Sequence, residues 1–154
     1  MSHEIEEVAL QVSAAEVHRR IIELGGAGRM EEALALIHPE VIDHRGGTSG
    51  DHHGLDAWKD KWEHMHDGFQ DVSVTVEHNV ASGDFSVNRY TLRGTHSASG
   101  RRYEVTGLDM IRVQNGKLAE HWALADLAAM GRQLSADDSV EGPAQTDTGR
   151  QIRH

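Results

Sequence analysis

Residues 106–126 read TGLDMIRVQNGKLAEHWALAD. Asn115-Gly116 at its centre is the strongest short hairpin signal available, because both central residues of a two-residue type I′ turn need positive φ. The turn predicts Gln114 opposite Lys117. An unbroken register then continues with Ile111 opposite Glu120, Asp109 opposite Trp122, Gly107 opposite Leu124 and Val105 opposite Asp126. One face of this hairpin holds Val105, Ile111, Val113, Leu118, Trp122 and Leu124, and is the better candidate to lie against helices. Asp109, Glu120 and Asp126 share that face, where a carboxylate is costly unless paired, hydrogen-bonded or neutralised. Asp109 and Asp126 stand about 13 Å apart, four residues at roughly 3.3 Å each, so they share no proton unless a bulge at Gly107 shifts the register. The other face holds Leu108, Met110, Arg112, Ala119, His121 and Ala123, and is apolar enough to meet a second copy of the chain.

Outward from the hairpin, the apolar period is 2 over VSVTVEHNV (72–80), FSVNRYTLRGTH (85–96), RYEVTGLDMIRV (102–113) and KLAEHWALAD (117–126). Turns at SGD, SASG and QNGK join these four strands. Before residue 70 the period is helical. Ser13 and Glu16 form a capping box ahead of Val17, Ile21 and Leu24, or the helix runs unbroken from near Glu4. RMEEALALI (29–37) predicts a second helix after a glycine turn, followed by a brief strand, PEVIDH, and a loop rich in Gly and His. Leu55, Trp58, Trp62, Met65 and Phe69 recur at steps of 3 and 4, one stripe of a third helix. LAAMGRQL (127–134) predicts a closing helical turn. Helices first and strands later mean α+β, with helices packed on one face of an antiparallel sheet. Residues 1–135 read as one domain, and 136–154 as a polar, disordered tail.

Composition narrows the function. The 154 residues carry a formal charge of −10, with 15 Lys and Arg scattered along the chain, which argues against nucleic acid and anionic membranes as partners. No apolar run approaches the roughly 20 residues of a membrane helix. The acidic N-terminus is unlike a secretory signal, so a cytoplasmic location is expected. There is no cysteine, hence no disulfide and no thiolate chemistry. Twelve histidines include DHHG at 51–54 and HMHD at 64–67. His64 and His66, two apart on a helix, diverge by about 200°, and no metal site is expected.

The hairpin leaves two readings of Asp126 open: an N-cap for residues 127–134, or a carboxyl acting in chemistry. Desolvation beside Trp122, Leu124 and Trp62 would favour the protonated form of such a carboxyl, which suits a general acid. His44, ending the VIDH strand, is either a second proton-handling group or an ordinary loop histidine. Trp58, Trp62 and Trp122 would supply flat apolar walls for an aromatic ligand, although helical spacing alone makes Trp58 and Trp62 core. Tyr90 and Asn88 could polarise a carbonyl, and Asp109 would also contact the ligand.

VIDHRGG, GLDAWKDKW, VTVEHNVASGDFSVNRYTLRGTH and TGLDMIRVQNGKLAEHWALAD, in this order, resemble the SnoaL-like polyketide cyclases of the nuclear transport factor 2-like superfamily over about residues 14–135. The resemblance implies a cone-shaped α+β barrel, a curved sheet wrapped around helices with a pocket at its open end. It implies dimerisation, here through the sheet, and neither metal nor organic cofactor. It also implies ring closure of a small hydrophobic or aromatic carbonyl ligand by intramolecular aldol condensation. The family's pocket Asp, ending EHW-x-x-x-D, matches Asp126. The chain departs from the pattern in the shorter SASGRRYEV hairpin and in Ser86 and Asn88, where small apolar residues are usual. Relatives on this fold include isomerases, epoxide hydrolases and plain ligand binders. An epoxide hydrolase would need an Arg between Asp109 and Asp126, and a non-catalytic hydrophobic-ligand-binding domain is the alternative from another class.

Overall fold

The computed structural model describes residues 12–45 and 50–135. The expected helix start near Glu4 and the 136–154 tail lie outside these residues. Helix α1 (Ala14–Gly26) opens as its capping box predicts, with the Ser13 side chain accepting from the Glu16 N–H at 3.2 Å. Ala14, Val17, His18 and Ile21 form its buried face. Helix α2 (Met30–Leu34) is shorter than the sequence predicts. The chain is already strand β1 (Ile37–His44) where the helix was expected to continue. Pro39 biases the residue before it toward extended backbone, and Leu36 gives its carbonyl to the Leu118 N–H at 2.8 Å.

The Gly- and His-rich loop contains a short strand, β2 (Asp51–His53), antiparallel to β1. Helix α3 (Gly54–Gly68) buries Trp58, and its stripe fades to a half-exposed Met65. Strands β3 (Phe69–Ser82), β4 (Phe85–His96), β5 (Arg102–Gln114) and β6 (Lys117–Ala125) follow at the predicted places, and helix α4 (Leu127–Ser135) closes the described chain. No helix among the described residues is long and apolar enough to cross a membrane.

The six strands form one curved, open sheet in the order β2-β1-β6-β5-β4-β3, with β1 and β6 parallel and the other pairs antiparallel. Ala14, Val17 and Ile21 of α1, Trp58 of α3, Ile37 and Val41 of β1, and Ile111, Val113 and Leu118 of the hairpin form the core. Burial of each Val, Leu or Ile among them stabilises the fold by about 1.5–3 kcal/mol.

Two tyrosines lie across the β4/β5 ladder on glycines. Tyr90 faces Gly107 and Tyr103 faces Gly94. A Cβ on either glycine would come within 2.5 Å of the phenol oxygen. Gly107 is therefore not a bulge but the space in which the Tyr90 ring lies.

The hairpin turn forms as expected, with φ of 53° at Asn115 and 74° at Gly116, and Gln114 pairs with Lys117. The register then breaks. Val113 pairs with Leu118 but Arg112 pairs with Glu120, leaving Ala119 as an extra residue in β6. One extra residue exchanges the two faces of everything beyond it. Ile111 now faces His121, Asp109 faces Ala123, and Met110 faces Trp122. The expectation that Trp122 lies on the helix side and His121 on the outside is thus reversed, as is the shared face of Asp109 and Glu120.

Candidate active site

The concave face of the sheet is built by alternate residues of each strand: Asp43 on β1, Ser86, Asn88 and Tyr90 on β4, Asp109 on β5 and His121 on β6. Helix α1 adds His18 and α3 adds Trp58 and Lys61. Asp109 is the centre. Its Oδ2 accepts from His18 Nε2 at 2.8 Å and lies 3.3 Å from His121 Nε2. His121 Nδ1 donates to Asp43 Oδ1 at 2.8 Å. Asp43 Oδ2 accepts from Lys61 Nζ and from Arg45 Nε, both at 2.9 Å. His18 and Asp43, 2% and 3% exposed, are the buried links of this chain of charges, while Asp109, His121, Lys61 and Arg45 are partly exposed.

The hydrogen bonds set the tautomer of His18. Asn79 Nδ2 donates to Ser86 Oγ at 2.9 Å and to Asn88 Oδ1 at 2.7 Å. The Ser86 hydroxyl is left to donate to His18 Nδ1, 2.8 Å away. His18 Nε2 then carries the proton given to Asp109. Ser86 and Asn88, unusual against the family pattern, thus belong to the line that supports Asp109.

Burial would raise the Asp109 carboxyl, but contacts from His121 and His18 outweigh it and hold it below the usual carboxylate range. Asp43 is held well below that range: burial opposes ionisation, while His121, Lys61 and Arg45 more than offset it. His121 is held above the ordinary imidazole range, because Asp109 and Asp43 outweigh its desolvation. Burial lowers Lys61, which also lies 3.5 Å from the centre of the Trp58 ring. Burial, and then the charge of Asp109, raises Tyr90, so its phenol stays protonated. Among the described residues, two buried side-chain polar atoms have no hydrogen-bond partner: Trp58 Nε1 and Asp109 Oδ1. An unsatisfied buried carboxylate oxygen is costly, and such sites concentrate where a protein binds or reacts.

The expected site residues divide between the two faces. Trp58, Trp62, Asn88, Tyr90 and Asp109 belong to the concave side, where Trp58 stands edge-on to both Trp62 and His121. Trp122 and His44 do not. They stack 4.7 Å apart on the convex face, where His44 contacts Asp51 at 2.9 Å and Glu120 at 3.2 Å. Asp126 lies beyond the end of β6. It is exposed, and its Oδ1 accepts from the Ala129 N–H at 2.9 Å as the cap of α4. For His44 and Trp122 the difference is one residue: Asp43 and His121 reach the concave face in their stead. His18 went unread, although it sits with Ala14 and Ile21 at helical spacing, a histidine on an apolar stripe. Among the described residues, no group of three or more His, Asp or Glu is arranged to hold a metal ion.

The profile of SnoaL-like polyketide cyclases matches residues 15–134. The chain belongs to that family. Among solved structures, wild-type IdmH of Streptomyces antibioticus, a candidate polyketide cyclase, is 31% identical. The match covers 81% of this chain and all of IdmH, with a TM-score of 0.70. TsrD of Streptomyces laurentii is 26% identical over 79% of this chain and 96% of its own, with a TM-score of 0.66. AclR of Streptomyces galilaeus, a candidate hydroxylase, shares the fold at 16% identity over 77% of this chain and 92% of its own, TM-score 0.68. No curated protein matches the chain. In this SnoaL-like protein, the acidic side chain brought to the centre of the concave face is Asp109.

Proposed function

We propose that this SnoaL-like protein is a cofactor-independent enzyme that carries out general acid/base chemistry on a polyketide-like carbonyl compound, closing a ring by intramolecular aldol condensation. The observation that carries the reading is Asp109, a partly buried carboxylate with one oxygen held by two histidines and the other, itself buried, unpaired. Ionised and short of partners, it is a base. Held below the usual carboxylate range, it is a weak one, suited to an acidified C–H such as a methylene between two carbonyls. Asp109 takes that proton and leaves an enolate. The enolate carbon attacks a second carbonyl of the same molecule, and the alkoxide formed takes the proton back from the Asp109 carboxyl, which returns to its ionised form. The Tyr90 hydroxyl, in the Asp109 environment and kept protonated, fits the role of polarising a carbonyl on this path. Trp62, Leu92, Val74 and Val76 share the concave side and would form the apolar surroundings of the ligand.

Asp126 and His44, the acid/base pair that the sequence suggests, have other partners, and the proposed chemistry does not use them. The capping role of Asp126 by itself favours a non-catalytic ligand binder; Asp109 restores the enzyme reading. An Arg on the concave side of Asp109, as an epoxide hydrolase would need, is not among its contacts, and His121 occupies that place.

The convex face supports the expected homodimer. Phe85, Met110, Trp122, Leu108 and Leu124 lie on it, and Leu108 and Leu124 are 48% and 79% exposed. Against a panel of poly-β-carbonyl compounds, Asp109→Asn is expected to keep ligand affinity and to lose at least about 100-fold in turnover. Unchanged turnover would move the chemistry elsewhere. Tight binding without turnover in the wild-type protein would make this a binder.

A further inference from the structure

We infer that Asp43 is a positioning residue of this site: anchored by Lys61 and Arg45, it holds His121 doubly protonated, and His121 holds the Asp109 carboxylate. The inference rests on Asp109 as the reacting group, but its first test does not need activity. Both ring nitrogens of His121 face carboxylate oxygens, Nδ1 to Asp43 at 2.8 Å and Nε2 to Asp109 at 3.3 Å. A carboxylate only accepts, so both nitrogens must carry protons for both contacts to be favourable. The groups facing His121 are Asp43 from β1, Asp109 from β5, and Trp58 and Lys61 from α3. Arg45 stands behind Asp43, and His18 from α1 behind Asp109.

Two cations on Asp43 Oδ2 keep its second oxygen anionic and turned toward His121. A neutral His121 could donate from only one nitrogen. Asp43 and Asp109 would compete for that proton, and Asp109 would have to rely on His18 alone. Asp43 therefore touches no substrate, yet sets the charge beside the base.

Nitrogen-15 NMR of the histidine rings in the full chain, with His121→Gln to assign the signal, tests this. In the wild type the His121 ring is expected to lose its second proton only above the ordinary imidazole range. Asp43→Asn should lower its midpoint by about one to three pH units, the usual effect of losing an adjacent opposite charge. Lys61→Met removes a neighbouring cation while Arg45 still holds Asp43 ionised, and should raise it. Opposite movements support the inference, because loss of packing alone has no reason to change sign. An unmoved midpoint in both variants, or movement in one direction, overturns it. If Asp43→Asn does not fold, Lys61→Met alone decides, and an unmoved or lowered midpoint is then the overturning result. With a substrate in hand, Asp43→Asn should also add a limb to the pH–rate profile at the new His121 midpoint. Should the NMR result hold while Asp109→Asn stays active, the positioning stands and the Asp109 reading fails.

Discussion

Neighbouring residues of one strand pair place a histidine between two carboxylates on each face of the sheet. On the concave side His121 bridges Asp43 and Asp109; on the convex side His44 bridges Asp51 and Glu120. Both bridges grow from the parallel β1/β6 pair, in which Asp43 meets His121 and His44 meets Trp122. Both histidines are held above the ordinary imidazole range despite their desolvation, each by its two carboxylates. The surroundings differ. Asp43 is buried and Asp109 largely shielded from solvent, where an unpaired charge is expensive. Asp51 is half exposed and Glu120 has Arg112 beside it at 2.6 Å, in reach of solvent and salt. A histidine between two carboxylates therefore makes an obligatory link on one face and a dispensable one on the other.

Truncating the bridges should separate them most clearly. His121→Leu takes a partner from the buried Asp43 and the partly buried Asp109, and chemical denaturation should report a loss of about 3–5 kcal/mol. His44→Leu should cost about 0–1 kcal/mol. Equal losses would mean that burial does not distinguish the faces.

Titration removes the proton but keeps the ring, so its effect should be smaller. Each histidine is raised in the folded state. Its stabilisation is complete below about pH 6.5 and is lost as pH rises through the folded-state value. Asp43, Asp109 and Glu120 are depressed, so their stabilisation is present above about pH 4 and is lost as pH falls through the folded-state values. In 1 M salt, where screening acts over about 3 Å, the alkaline loss due to His44 should flatten and that due to His121 should persist. Denaturation midpoints of the two single His→Gln variants, measured against pH at both salt levels, check this.

The adjacent residues Gly107 and Leu108 extend the comparison. A methyl on Gly107 meets the Tyr90 ring and the Leu124 carbonyl, so Gly107→Ala should cost about 1–3 kcal/mol, partly relieved in a Gly107→Ala/Tyr90→Ala double variant. Leu108→Ala, on the open convex side, should stay within about 0.5 kcal/mol for the monomer. A small effect is also expected beyond the sheet. Asp126→Ala should remove a cap worth about 1 kcal/mol, and Asp126→Asn should change little, since Asn caps as well. A loss of turnover in Asp126→Asn with stability intact would instead return the chemistry to that residue.

Much was legible in particular residues. Ser13 and Glu16 marked the start of α1, Asn115-Gly116 the hairpin, and the Leu55–Trp58–Trp62 stripe the packed face of α3. What failed was facing. Two short connections also escaped notice: β2 hidden in a Gly- and His-rich loop, and Gln133, whose side chain pairs with both backbone groups of Glu104 where β6 has ended.

The sequence by itself determined the order of elements, the turn and the family, because periodicity, caps and turn chemistry are local and each is written in a few neighbouring residues. Tertiary structure decided which side chains meet. Leu118 is drawn into the core against Ile37 and Val113, His121 reaches the concave face, and the chain accommodates both by leaving Ala119 unpaired. Nothing local marks that bulge, since Leu-Ala-Glu-His reads as well in an unbroken strand. Packing against β1 and α3 selects it, and that selection places Asp109, rather than Asp126, among the histidines.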